Sequence, residues 1–227
     1  LLAVDEASSG LRGFESLRTH KIISMNQPIQ PFIDIKFGNF LAPIFNAYVS
    51  KNDNMTMTEE RFSEKNVLER IEAQKKEWNI LELVIVKGLQ ELLELTFFET
   101  RIPVYIVPAY RGAFSDPIVM SSLVLPDVFP DILSHELIHR LVTHNAEKIR
   151  WKKAVHAVLP DVTKPKVYNH VLVHAFHSAL YLDILKDPKR LERDIQSSEK
   201  WPAYREAWRI VRERGYKELI SEFKNAL

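Results

Sequence analysis

Residues 102–139 read IPVYIVPAYRGAFSDPIVMSSLVLPDVFPDILSHELIH, and this stretch decides the fold. Its first part, 102–110, is β-branched and aromatic and predicts a strand. RGAFSD is turn chemistry. PIVMSSLVL, residues 117–125, predicts a second strand, with Pro117 at its first position, where a missing N–H is tolerated. The period then lengthens to that of a helix over about 127–143. Strand, turn, strand and helix in succession predict a small central antiparallel sheet or hairpin against a helix.

Outward from this centre the chain reads as helical. Thr58 before Glu59 and Glu60 reads as a helix cap, and the pattern continues to about Phe98 as two helices meeting near Trp78 and Asn79. The second, 80–98, is apolar on most sides, which predicts burial. Phe37, Phe40, Leu41, Ile44, Phe45 and Tyr48 recur at helical spacing, with Pro43 at a helix start or kink. Downstream, helices are predicted over 148–158, 167–185, 201–214 and 216–225, with Gly215 as a C-cap. The expected fold class is α+β and mostly helical. One domain is expected over 1–227, with a helical N-terminal part, 1–100, and a second part, 101–227, holding the strands and the motif helix.

Composition narrows the chemistry. The 227 residues are 46% apolar and 27% charged, ordinary for a globular protein with a real core. There is no cysteine, so disulfides and thiolate metal sites are excluded, and any transition-metal site must use histidine and carboxylate. A net charge of +1 exerts no global pull on nucleic acid or anionic membrane, and neither is expected as a partner. The longest apolar runs, such as 80–86, are interrupted by charge and too short to span a bilayer. The opening LLAV lacks the basic flank and apolar length of a signal peptide. A soluble, cytoplasmic protein is the expectation, and a trimmed export signal is also compatible.

Within the motif helix, His135, Glu136 and His139 form His-Glu-x-x-His. Residues four apart on a helix differ by about 40° in direction, so both imidazoles can reach one ion. Glu136 is turned about 100° from His135, beside such an ion without leading its coordination. Zinc lowers the pKa of bound water to about 7, and a neighbouring carboxylate can take the proton as the water attacks a carbonyl. The same group can then pass it to a leaving amine. The bland alternative is a histidine pair on ordinary polar surface. Against it stand Ile132, Leu133, Leu137, Ile138, Leu141 and Val142, which predict a largely buried helix. Burying two histidines and a glutamate without partners is costly, and a metal would satisfy all three.

On these residues, and on the strands before them, the chain resembles the zincin metallopeptidases over roughly 102–185. The resemblance implies a zinc-dependent peptidase acting on peptide or protein, with 101–227 as its catalytic part and Glu136 as general base and acid. It also implies an antiparallel edge strand that pairs with extended substrate, here matched by 117–123. The metzincin branch needs glycine and histidine where this chain has Val142 and Asn145. His144 is one residue out of register and points away from His139. The gluzincin branch takes a glutamate from a later helix, and VYNHVLVHAFHSALYLD, residues 167–183, resembles that helix with histidine in place of both acids. His170, His174 and His177 share one face there. By position His170 matches the ligand and His174 the acid that orients a ligand histidine, with the roles exchangeable; one of the two is expected to bind the metal. His177, Tyr168, Tyr181 and Tyr204 are candidates for supporting a ligand or donating to an oxyanion. Two further readings stay open: a zincin-fold module that keeps metal without catalysis, and a metal-free helical domain with structural histidines.

Overall fold

Alternating β-branched residues build the sheet. In strand β2, Arg101–Val107, Ile102, Val104 and Ile106 are fully buried, as a period of two requires of one packed face. The computed structural model describes residues 29–45, 63–108 and 112–227. Among these, β1 (Phe32–Phe37), β3 (Phe114–Ser115) and β4 (Ile118–Ser121) join β2 in one sheet of order β1–β2–β4–β3. β1 and β4 both run parallel to β2, and only β3 is antiparallel to its neighbour β4.

The expected antiparallel sheet is therefore corrected to a mixed one. After β2 the chain crosses to the outer edge, forms β3, and folds back so that β4 lies between them. The segment expected as an edge strand, 117–123, is thus interior, and all four β4 residues are buried. The strand also ends at Ser121, short of 125. Beyond it the backbone groups go elsewhere: the Ser121 hydroxyl accepts from Leu123 N–H at 3.0 Å, and the buried Gln74 amide donates to the carbonyls of Ser121 and Val124. β1 lies in the part, 1–100, expected to be helical, with helical spacing read only from Phe37 onward. FIDIKF alternates instead, with Ile33 and Ile35 buried and Phe32, Asp34 and Lys36 more exposed, so the N-terminal part contributes a strand as well as a helix.

Helix α1, Glu64–Leu93, is one continuous element, not two. It starts at Ser63, whose hydroxyl accepts from Asn66 N–H. No proline or glycine interrupts it near Trp78, which shares a buried stripe with Ile71, Ile85 and Leu89. Ile80 and Leu83 lie exposed on the opposite side, so the second half is not buried all round. The expected cap at Thr58 lies outside the described residues.

Seven helices in all are labelled here: α2 (Phe129–His144), α3 (Trp151–Val158), α4 (Pro165–Ala179), α5 (Pro188–Ser198), α6 (Pro202–Arg214) and α7 (Tyr216–Ala226) follow α1. A single turn, Ala146–Ile149, precedes α3, and Arg150 between them is left-handed at φ 46°. α4 widens into a π-helical turn, Leu180–Ile184. That turn comes close to α1 at Gly88, where a Cβ would lie 2.9 Å from Ile184 Cγ2. α1 packs on α2, and α4 packs on α2, α6 and α7. Among the described residues no helix is long and apolar enough to cross a membrane.

Candidate metal centre

α2 carries its polar residues on several faces, each against a different neighbour. At its start the buried Asp131 accepts from Arg190 at 2.6 Å and Arg193 at 2.5 Å, both on α5. Acid in the first turn also suits the helix dipole. At its end Arg140 donates to Glu99 at 2.5 Å and Asp116 at 3.0 Å. His144 faces the same two acids, 3.2 Å from Glu99 and 3.6 Å from Asp116. It takes no part in the histidine cluster.

Between these ends, His135 and His139 bring their Nε2 atoms to 3.2 Å. An ion held at 2.0–2.1 Å in tetrahedral geometry separates its ligand atoms by about 3.3–3.4 Å. α4 adds His170, and the donor atoms of His135, His139 and His170 all lie within 4.8 Å of one another. His170 Nδ1 lies 2.6 Å from the Lys166 carbonyl one turn earlier. That carbonyl can only accept, so the proton sits on Nδ1 and the Nε2 lone pair is left free.

Burial sets the charge state of these rings. It pushes His135 well below the usual histidine range, helped by the charges of His139, His177, His174 and His170. Burial, with His170 and His177, lowers His139 to about 4. Burial also lowers His170, against the opposing pull of the Lys166 carbonyl. At neutral pH all three are uncharged lone-pair donors, the state a metal requires. The same burial raises Glu136 to about 8.

The other predicted residues fall into two groups. His174 is buried, with ring centroids 5.8 Å from both His135 and His170 and 4.1 Å from Trp208. Neither of its ring nitrogens has a hydrogen-bond partner among the described residues, an expensive state for a buried polar group. Tyr204 joins this cluster, its ring 4.4 Å from His170 and 6.3 Å from His135. His177, by contrast, has a polar neighbour beside each nitrogen: Nε2 lies 2.7 Å from Ser134 Oγ and Nδ1 lies 2.9 Å from Asp194 Oδ2. Burial raises the Asp194 carboxyl, but the His177 hydrogen bond and nearby histidine charges outweigh it and leave the group below its usual range. The hydroxyl of Tyr181 donates to Asp194 at 3.3 Å, and that of Tyr168 to the Lys152 carbonyl at 2.8 Å. Both are committed away from the three converging histidines.

Sequence reading missed Ser134, Asp131 and all of α5, which supplies Arg190, Arg193 and Asp194. A signal for α5 existed: Asp187 followed by Pro188 is a cap with proline at the first helical position. Two clefts are lined in part by these histidines. One, of about 540 Å³, is lined by His135, Glu136, Ile132, Asp194, Trp201 and Tyr204, with Gly112 and Ala113 leading into β3. The other, of about 710 Å³, opens beyond His139 and His170. Comparison with models of known families, with curated proteins and with solved structures gave no match.

Proposed function

We propose that this chain is a zinc-dependent peptidase of zincin type, with His135, His139 and His170 as metal ligands and Glu136 as general base and acid. The observation that carries the reading is the approach of three neutral imidazoles from two helices, two of them already at ligand spacing. Three histidines leave one position of a tetrahedral site open. Imidazole donors suit several transition metals, and zinc fits this set without redox demands.

When bound, zinc would activate water at neutral pH and polarise a carbonyl oxygen. The remaining work belongs to this chain. Glu136 takes a proton from the attacking water and returns it to the leaving amine. A cation beside it favours the ionised carboxylate and so opposes the upward push of burial. Tyr204, whose ring lies 4.4 Å from that of His170, would donate to the developing oxyanion. His174 supports the site from beneath, between Trp208 and the ligand rings. The Lys166 carbonyl orients His170 through its Nδ1 proton.

An extended substrate is supported by the sheet. β3 is the antiparallel strand at the outer edge, and residues leading into it share a cleft with His135 and Glu136. A peptide laid along that edge would gain main-chain hydrogen bonds. This role moves from 117–123, which is interior, to Phe114–Ser115.

The test is turnover of a quenched peptide library by protein purified without a histidine tag. Hydrolysis should stop with a chelator, return with zinc, and be absent in Glu136→Gln. Full zinc occupancy without turnover would leave a metal-binding module and remove the peptidase reading.

A further inference from the structure

We infer that the cleft beyond His139 and His170 is a subsite for a peptide carboxylate, so that the preferred substrates are acidic on that side of the scissile bond. The inference rests on the peptidase reading above. Three cations line this cleft, Arg150, Lys152 and Lys153, against a single acid, Glu147. All four are exposed. The chain as a whole has a net charge of only +1, so the surplus is local.

These cations differ from the arginines that hold elements of the fold together. Arg140, Arg190, Arg193, Arg209 and Arg214 each sit in an ion pair with the protein's own acids. Among the described residues Arg150, Lys152 and Lys153 form none. Cations that need no internal partner, gathered beside His139 and His170, raise the local concentration of anionic ligands.

The corner that holds them is fixed from three sides. Arg150 occupies left-handed backbone at φ 46°, a conformation that costs a non-glycine residue and recurs at functional sites. Trp151 packs its ring 4.9 Å from Phe223. The Tyr168 hydroxyl holds the Lys152 carbonyl at 2.8 Å. This gives Tyr168 a positioning role at the subsite in place of a role at the oxyanion. A carboxylate there could come from an acidic side chain or from a peptide's C-terminus.

The experiment uses the full chain, zinc-loaded, and fluorescent peptides that differ only as Glu or Gln at each position, and as C-terminal acid or amide. Both kcat/KM and binding by anisotropy are measured. The acidic member of one pair should be preferred by about tenfold at low salt, the scale exposed charge pairs reach together. The preference should shrink with added salt. Arg150→Gln, Lys152→Gln and Lys153→Gln should each reduce it, while Lys153→Arg should keep it. The Glu/Gln series identifies a side-chain carboxylate, and the acid/amide series a C-terminal one. Equal handling of both members of every pair, or a preference unchanged in the triple variant, overturns the inference. Charge-dependent binding without any cleavage would sink the peptidase reading and keep the subsite. Neither cleavage nor selective binding would sink both.

Discussion

Two polar groups on the one helix α2 have opposite economies. Towards its end, Arg140 and His144 meet Glu99 and Asp116, and Asn145 donates to the carbonyls of Thr96 and Leu141. These contacts pin the helix to the sheet and to the end of α1, while Glu99 Oε2, Arg140 Nε and Asn145 Oδ1 have no hydrogen-bond partner among the described residues. One turn earlier, His135 and His139 find chiefly each other and His170, while Glu136 is buried and, among the described residues, no partner lowers its pKa. Satisfied polar groups hold a fold together. On the reading proposed above, the converging histidines are completed by a metal ion instead. Along α4, His177 has Ser134 Oγ at 2.7 Å and Asp194 Oδ2 at 2.9 Å beside its two nitrogens, whereas neither nitrogen of His174 has a hydrogen-bond partner among the described residues.

The largest effect should separate the two groups by chemistry. Glu136→Gln should reduce kcat by about 10²–10⁴-fold, the range for a lost general acid–base group, while zinc content stays unchanged. A progress-curve assay alongside metal analysis checks both halves. Loss of zinc in that variant would make Glu136 a ligand.

Next, His139→Ala should weaken zinc by more than the 10–100-fold typical of residues that only orient a ligand. His144→Ala should leave zinc affinity unchanged. Competition with a chromophoric chelator gives both constants. Similar losses in the two variants would erase the distinction between the groups.

Removing Arg140 should do the reverse. Arg140→Met leaves the half-buried Glu99 without its principal cation and should cost about 2–3 kcal/mol, below the 3–5 typical of deeply buried pairs because Glu99 and Asp116 are partly solvated. Denaturant titration measures this, and zinc affinity should stay within threefold, about a factor that needs no ligand change.

A smaller effect lies in pH. In metal-free protein His135 and His139 titrate below their unfolded value of about 6.5, so the unfolded chain takes up protons first. Their contribution is complete above about pH 6.5 and is lost as pH falls from there towards about 4, where His139 itself titrates. Glu99 behaves differently. Burial raises it, but the Arg140 hydrogen bond and charge more than compensate and leave it lowered. Its contribution is present above the unfolded carboxylate range and disappears only as pH falls through its depressed folded value. Glu136, raised to about 8 by burial, opposes the histidines, because the folded chain takes up its proton first as pH falls below about 8. In metal-free Glu136→Gln, where that opposition is gone, thermal stability should fall in two stages on acidification. His139→Ala in that background should flatten the upper stage and Arg140→Met the lower. A single stage in metal-free Glu136→Gln would contradict the assignment.

What was legible in the sequence follows the same divide. The motif helix could be read because i, i+4 spacing is a local property, and His144 could be set aside by the same geometry. The helix carrying His170 could be read from its apolar residues. Sheet order could not: the same two β-branched runs suit a hairpin or a parallel pair, and the two-residue strand β3 hides inside what reads as a turn. β1 was missed because aromatic spacing after Phe37 masked the strict alternation of FIDIKF. α5 was missed because it has no apolar stripe; it is held by Arg190, Arg193 and Asp194, whose partners are far away in sequence. Its Asp187–Pro188 start was the clue. The convergence of His170 in place of His174 depends on how α4 is rotated against α2, which packing decides and spacing does not.

The central claim is that α2 and α4 together hold one metal ion. Its most direct test is the zinc content of untagged protein, by elemental analysis, in wild type, His139→Ala and His170→Ala. The account predicts about one zinc per chain in wild type and little in either variant, as three protein ligands require. Less than roughly half a zinc per chain in wild type after zinc loading and desalting, or a content unchanged in His139→Ala, would contradict it.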